Sequence, residues 1–431
     1  MKTPWELLKE SKTKIKTTWR IAFVSALVLG LLIHLPVMLS DIPNHDGLSS
    51  MYFDQNMITS GRWFLTVACG FSSYFTIPWV IGLIGLIWLA LTAAVLTEVL
   101  ELTDPVTITV VSGLLVSFPA LASTFAYVFT MDGYMLALFL AVLAVLFTAK
   151  YPRGYLAGAV CLAFSMGIYQ AYLPFTILLC VYKILLYFME EKGWKEKAKY
   201  ICRYLGMGIA GGVLYYVILQ ILLKLQGKVL DTYQGINSME QMGSGMGILA
   251  TIKGMYVDFL AFTVHGNVLV NNIFSLAACI ILVATVVFLV IRSMIWRKWW
   301  KNPAFFVIMI LLGISMPLLT NVILLISPNL TYHLLMRYQW VLYLILMTAF
   351  ADRYTAEESR TDVVLQWAAL CAAVVLVFDY GISDNIGYSN LEKKYEKTYA
   401  YCVRLLDRIE QTPGYYQGIP IALVGVIGYD E

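Results

Sequence analysis

IAFVSALVLGLLIHLPVML, residues Ile21 to Leu39, decides the fold. The run holds no Asp, Glu, Lys or Arg and no strict apolar–polar alternation. A helix needs about 20 largely apolar residues to cross the hydrocarbon of a bilayer. Backbone polar groups in lipid must be satisfied within the segment, so long non-alternating runs make helices and not barrel strands. Comparable runs recur near 76–98, 106–122, 133–149, 155–169, 171–189, 204–224, 273–291, 304–326, 338–351 and 363–380, about eleven spans in all. Composition agrees: 60% of the 431 residues are hydrophobic, 13% are charged, and mean hydropathy is +0.75. No soluble domain of this length could bury that much apolar surface in one core. The expected fold is an all-α polytopic membrane bundle, residues 1–380, followed by a soluble tail, 381–431.

The basic residues give the orientation. Segments 1–20, 150–153, 190–203, 292–303 and 352–362 carry 19 of the chain's 30 lysines and arginines. Positively charged loops stay cytoplasmic, which puts the amino terminus inside and the carboxyl terminus outside. Topology thus accounts for the basic residues, and the net charge of +3 carries no signal for nucleic acid. The Lys-rich start followed by an apolar run is similar to a signal peptide, but no small-x-small site lies near Leu39–Asp41, so it reads as an uncleaved first span. The seven cysteines form no CxxC and no Cys/His cluster, which speaks against a structural disulfide or a bound metal.

Working outward from the first span, the chain continues DIPNHDGLSSMYFDQNMITSGRWFLTV, Asp41 to Val67. A plain connector between two spans needs only a few polar residues. This one sets Asp41, Asp46, Asp54, His45 and Arg62 at a membrane surface, interleaved with Tyr52, Phe53 and Trp63. Wheeling residues 46–60 as a helix puts Leu48, Met51, Tyr52, Gln55 and Ile58 on one side and Asp46, Ser50 and Asp54 on the other. That pattern predicts an interfacial helix lying flat, its acids toward water or a cavity; a solvated loop helix fits it equally. A second outer segment, 225–271, is loop-like through Asp231–Gly247 and amphipathic from Ile248 to Val264, suited to a cover over a cavity. Its glycines Gly243, Gly245 and Gly247 lack the lysine and preceding strand of a phosphate loop.

In the tail, Ser389 and Glu392 read as a capping box. Leu391, Tyr395, Tyr399, Cys402, Leu406 and Ile409 form one stripe of a helix ending before Pro413. Asp379 and Asp384 read as the end of the last span. Ile419 to Ile427 is strand-like. One helix and one strand cannot close a core; either they pack on the membrane domain or the sequence is truncated.

Acids beside the first span suit sugar transfer from a lipid phosphate. The donor's tail lies in the bilayer, so its glycosidic phosphate sits at interface depth. The phosphate leaves without a strong acid, whereas the incoming hydroxyl needs a base, typically worth ~10²–10⁴ in rate. Arginine suits the leaving phosphate through its planar fork, and Arg62 and Arg337 both stand at outer span ends. Asp46 and Asp54 share a face, so either could be the base, and paired carboxylates could also share a divalent cation.

Asn44-His45-Asp46-Gly47, Asp54-Gln55-Asn56 and Gly61-Arg62-Trp63 resemble the first outer loop of the bacterial Gtr-type glucosyltransferases. Phe125-Ala126-Tyr127 with Thr130-Met131-Asp132-Gly133-Tyr134 resembles that family's second outer loop, and Gly167-Ile168-Tyr169-Gln170 its next outward turn. The resemblance implies a GT-C type enzyme of the bacterial plasma membrane, using a polyprenyl-phosphate sugar and a surface glycan such as O-antigen. It also implies an aspartate of the first loop as catalytic base.

Each candidate has a plainer alternative. Asp46 and Asp132 also fit helix caps, and Arg62 also fits a cation snorkelling from a span end. Trp63, Trp79 and Tyr127 could stack on sugar, yet interface belts are rich in aromatics. Tyr169-Gln170 at a tight outward turn could hold the acceptor. His265 and His333 face outward without a partner in sequence. A transporter or flippase would instead place ionisable groups at mid-span, where Gln220 and Asn321 are the strongest polar candidates.

Overall fold

The computed structural model describes residues 2–40, 55–70, 77–190, 193–231, 247–296, 298, 303–327, 330–355, 359–422 and 424. An amino-terminal helix α1 (Pro4–Lys14) precedes α2 (Thr17–Leu39), the first expected span. The turn α3 (Leu65–Ala68) leads to α4 (Pro78–Leu100), α5 (Pro105–Ser117), α6 (Pro119–Phe125), α7 (Met131–Lys150), α8 (Gly154–Ile168), α9 (Leu173–Phe188) and α10 (Trp194–Gln226). The second half runs through α11 (Ile248–Leu260), α12 (Ile273–Trp296), α13 (Pro303–Thr320), α14 (Val322–Ile326), α15 (Val341–Tyr354) and α16 (Arg360–Glu410).

Each of the eleven expected spans carries a helix. Among the described residues nine helices are long and apolar enough to cross a membrane, and α5 with α6 adds a span bent by 51°. The bend has a local cause. Phe118 is extended, as the residue before a proline tends to be, and Pro119 restarts the helix at its first position. The segment read as an amphipathic cover, Ile248–His265, is itself a helix that passes the same test of length and hydropathy. The chain is therefore a multi-pass helical bundle. Spans at 78–100, 128–150, 170–188 and 334–354 are 61–72% buried within it, whereas 194–226 and 273–296 are under 30% buried and form the rim.

Charges sort by end. Lys16 and Lys150 meet Glu98 at 2.7 and 2.9 Å, and Lys183 and Arg353 meet Glu101 at 2.6 and 2.8 Å. Burial opposes ionisation of Glu101, but the hydrogen bond and charge of Lys183, followed by those of Arg353, outweigh it and hold the carboxyl below its usual range. Arg292 pairs with Asp362. The start of α2, the ends of α4, α7, α9, α12 and α15 and the start of α16 thus share one end, together with the Lys- and Arg-rich segments. The outward turns lie at the opposite end.

Expectations for the first loop and for the tail change. Asp41–Asp54 lies outside the described residues, but the flat helix does not continue through Ser60. Met57 and Arg62 are bridged, and Ile58–Ser60 is a single 3-10 turn between them. Ile58 is 2% exposed, packed in the core and not on lipid. In the tail, Ser389 and Glu392 cap nothing, because α16 is one helix of 51 residues running through both. No proline interrupts it, so i→i−4 bonding carries on past Asp379. The helix runs on through Asp384, which is buried in its packed face. Ile419–Ala422 forms no strand, and Leu423 and Gly425–Glu431 lie outside the described residues.

Candidate active site

The turn Met57–Arg62 is where the first loop rejoins the bundle, and four contacts hold it. Tyr215 of α10 donates its hydroxyl to the Gly61 carbonyl at 3.1 Å. Gln170 donates its amide nitrogen to the Ser60 carbonyl and to the Tyr215 hydroxyl, both at 3.0 Å. The Phe64 amide donates to the Gly167 carbonyl at 2.7 Å. Trp63 lies flat on Gly167, where a Cβ would come within 2.5 Å of the indole. Gly61 is required twice over: its φ is +74°, and a Cβ there would sit 2.5 Å from the Tyr215 hydroxyl.

This bracing aims Arg62 across the amino end of α7. Its Nη1 donates to the Tyr134 hydroxyl at 3.0 Å, and its guanidinium carbon lies 5.1 Å from the centre of the Tyr169 ring. Tyr134 and Tyr169 stack on each other at 4.1 Å and 10°. The guanidinium thus sits within cation–π distance of the Tyr169 ring face. Tyr172 and Tyr338 continue this aromatic floor by edge contacts at 5.3 and 6.3 Å.

Asp132 occupies the same first helical turn as Tyr134. It is 2% exposed, and its Oδ1 accepts from the Gly133 amide at 2.9 Å. The positive end of the helix dipole favours an acid there. Cys69 packs on Gly133 and on the Thr130 carbonyl, so the segment after Arg62 covers this helix start. The geometry therefore brings together Arg62, Trp63, Asp132, Tyr169 and Gln170. Gln170 is used as a brace for the turn. Tyr127 is half-buried beside Phe129, just ahead of the turn Val128–Thr130. Asp46 and Asp54 fall in the segment outside the described residues.

Arg337 stands on the turn Leu334–Trp340, which packs against the Gln170–Tyr172 turn. Its two terminal nitrogens clasp both carboxylate oxygens of Asp258 at 2.8 and 2.7 Å, and its Nε donates to the Tyr332 carbonyl. The guanidinium lies 4.0 Å over Tyr332 and 4.7 Å over Phe262. Asn321 completes the corner, donating to Asp258 at 3.1 Å and to the Met255 carbonyl at 2.9 Å. A mid-span amide that would suit a transporter is here a fully buried scaffold group. His265 ends the π-helical turn Ala261–His265 and is exposed. Asp258, Tyr134 and Tyr215 carry much of this architecture without having stood out in the sequence. Asp258 is the lone acid of the amphipathic 248–264 segment, which is the one signal that could have found it.

What the arrangement can do chemically is bind an anion at the interface, with Arg62 as a forked donor and an acid close by. The glucosyl transferase GtrII family model matches residues 35–351 of this chain. The chain belongs to the GtrII family of glucosyl transferases. No curated protein and no solved structure matches it. As a GtrII member it is a glycosyltransferase, and the matched range takes in the braced turn, the Arg62 corner and the Asp258–Arg337 pair. The Gtr-type resemblance of the first and second outer loops thus belongs to a family relationship covering most of the bundle.

Proposed function

We propose that this glycosyltransferase moves a glucosyl group from a polyprenyl-phosphate donor to a surface polysaccharide on the outer face of a bacterial plasma membrane. The observation that carries the reading is the placement of Arg62 at the end opposite the basic loops. It sits over Tyr169 and against Tyr134, where the phosphate of a lipid-anchored donor would lie. The donor enters from the outer leaflet and Arg62 binds its phosphate through charge-assisted hydrogen bonds. Asp46 takes the proton of an acceptor hydroxyl as that oxygen bonds to the anomeric carbon. The carbon–oxygen bond to phosphate breaks, polyprenyl phosphate leaves, and the anomeric centre inverts. Asp54 and Asp132 are the alternative bases, and a divalent cation shared by the carboxylates is compatible with the scheme. Arg337, clasped by Asp258, acts as scaffold for the turn Leu334–Trp340. The amino terminus is cytoplasmic and the tail outside.

The test uses membranes bearing the chain, a labelled polyprenyl-phosphate glucose and envelope polysaccharide. Transfer of label to polymer is the expected result. Transfer from a nucleotide sugar with no lipid carrier present would contradict it.

A further inference from the structure

A cleft of about 490 Å³ opens between the last turn of α2 and the part of α16 beyond the last span. Pro36, Ser40, Asn385, Tyr388, Ser389 and Glu392 line it. Among the described residues its polar groups are hydroxyls, an amide and one carboxylate, with no lysine or arginine. Such a lining repels phosphate and suits a neutral polyol, with Pro36 and the Tyr388 ring offering apolar faces to sugar C–H groups. Asn385 donates its amide nitrogen to the Ile33 and Gly381 carbonyls at 3.2 and 2.8 Å, which leaves its oxygen to offer a ligand.

The cleft walls are fixed relative to each other. His34 accepts or shares a 2.6 Å hydrogen bond with the Tyr388 hydroxyl, its other nitrogen bonds the Val116 carbonyl at 2.7 Å, and its ring stacks on Phe125 at 4.1 Å. A backbone carbonyl can only accept, so Nε2 carries the ring proton and Nδ1 accepts the hydrogen bond that the Tyr388 hydroxyl donates. The asparagine bond to Ile33 pins the same two helices. A preformed cleft spares a ligand the ordering cost of closing one.

Position supplies the remaining argument. Ser40, in one wall, is the residue from which the chain enters the first loop with its candidate base. The other wall belongs to a helix of 51 residues, about 77 Å at 1.5 Å per residue, more than twice the roughly 30 Å of hydrocarbon. It stands well clear of the bilayer, where an extended polymer can lie along it.

We infer that this cleft is the binding subsite for the acceptor polysaccharide, taking a neutral sugar unit through hydroxyl contacts to Ser40, Asn385, Ser389 and Glu392. The inference rests on the proposed transfer to a surface glycan and adds where that glycan docks. Glu392 is exposed and Ser389 half-buried, so changes at both spare the core.

Glu392→Gln should raise the acceptor KM by about tenfold, the size of one lost charge-assisted hydrogen bond, and Ser389→Trp, which fills the cleft with an indole, should raise it at least as much. Donor KM and the rate at saturating acceptor should stay unchanged. A direct probe is maleimide labelling of Ser389→Cys, read at that site by peptide mass spectrometry. Polysaccharide extracted from the producing cell should protect it, and polyprenyl-phosphate glucose should not. An unchanged acceptor KM in Ser389→Trp, or protection by the lipid donor alone, overturns the assignment. Polysaccharide protection in an enzyme that proves to use nucleotide sugar would refute the donor scheme and still support the cleft.

Discussion

Arg62 donates to the Tyr134 hydroxyl at 3.0 Å, although 72 residues separate them. That bond joins the end of the first loop to the start of α7, and with Tyr169 beneath it fixes where the guanidinium points. Removing the hydroxyl while keeping the ring isolates this positioning. Tyr134→Phe should raise donor KM by about tenfold, in line with a hydrogen bond to a charged group, and leave thermal stability in detergent nearly unchanged. Arg62→Lys keeps the charge and loses the fork, so it should fall between wild type and Arg62→Ala in donor KM. Equal donor KM in all four proteins would remove Arg62 from the phosphate site.

The Asp258–Arg337 pair should behave as scaffold. Its side chains are 26% and 11% exposed and bonded on both nitrogens, so Asp258→Ala leaves a largely buried cation without its partner. A loss on the order of 3 kcal/mol is expected, read as a marked drop in melting temperature of the purified protein. Asp258→Leu combined with Arg337→Met should recover most of it. Recovery of the fold with donor KM restored would confirm a purely structural role; recovery of the fold with donor binding still absent would return Arg337 to the substrate.

Orientation is open to direct measurement. Lys195 and Lys228 are both exposed and lie at the two ends of α10. In intact cells an impermeant thiol reagent should label Lys228→Cys and not Lys195→Cys. The reverse pattern would invert the bundle and place the Arg62 corner on the cytoplasmic side.

The spans were legible because lipid imposes one rule on them, an apolar run of fixed length, and that rule is local in sequence. Gly61-Arg62-Trp63 and Tyr169-Gln170 were legible separately, as residues at span ends and as parts of the Gtr-type resemblance. What joins them was not. Gln170 reaches Ser60 across 110 residues, and His34 reaches Tyr388 across 354. No periodicity encodes such pairs. His34 sits within a membrane-length apolar run, where a buried histidine reads as one more span residue. The flat helix over 46–60 failed at its end because Gly61 in the left-handed region, with Tyr215 bonded to its carbonyl and Gln170 to that of Ser60, favours a tight turn over another helical turn. The capping box at Ser389 failed because a local cap motif has no force where the helix bonding is already continuous.

In the proposed mechanism Asp46 takes the proton as sugar leaves the lipid phosphate, and Asp46→Asn isolates that role. Asparagine keeps the size and most hydrogen bonds and removes the basicity. Transfer of labelled glucose from polyprenyl phosphate to envelope polysaccharide should fall by roughly 10²-fold or more in this variant, with donor KM unchanged. Wild-type turnover in Asp46→Asn would contradict the account and move the base to Asp54 or Asp132.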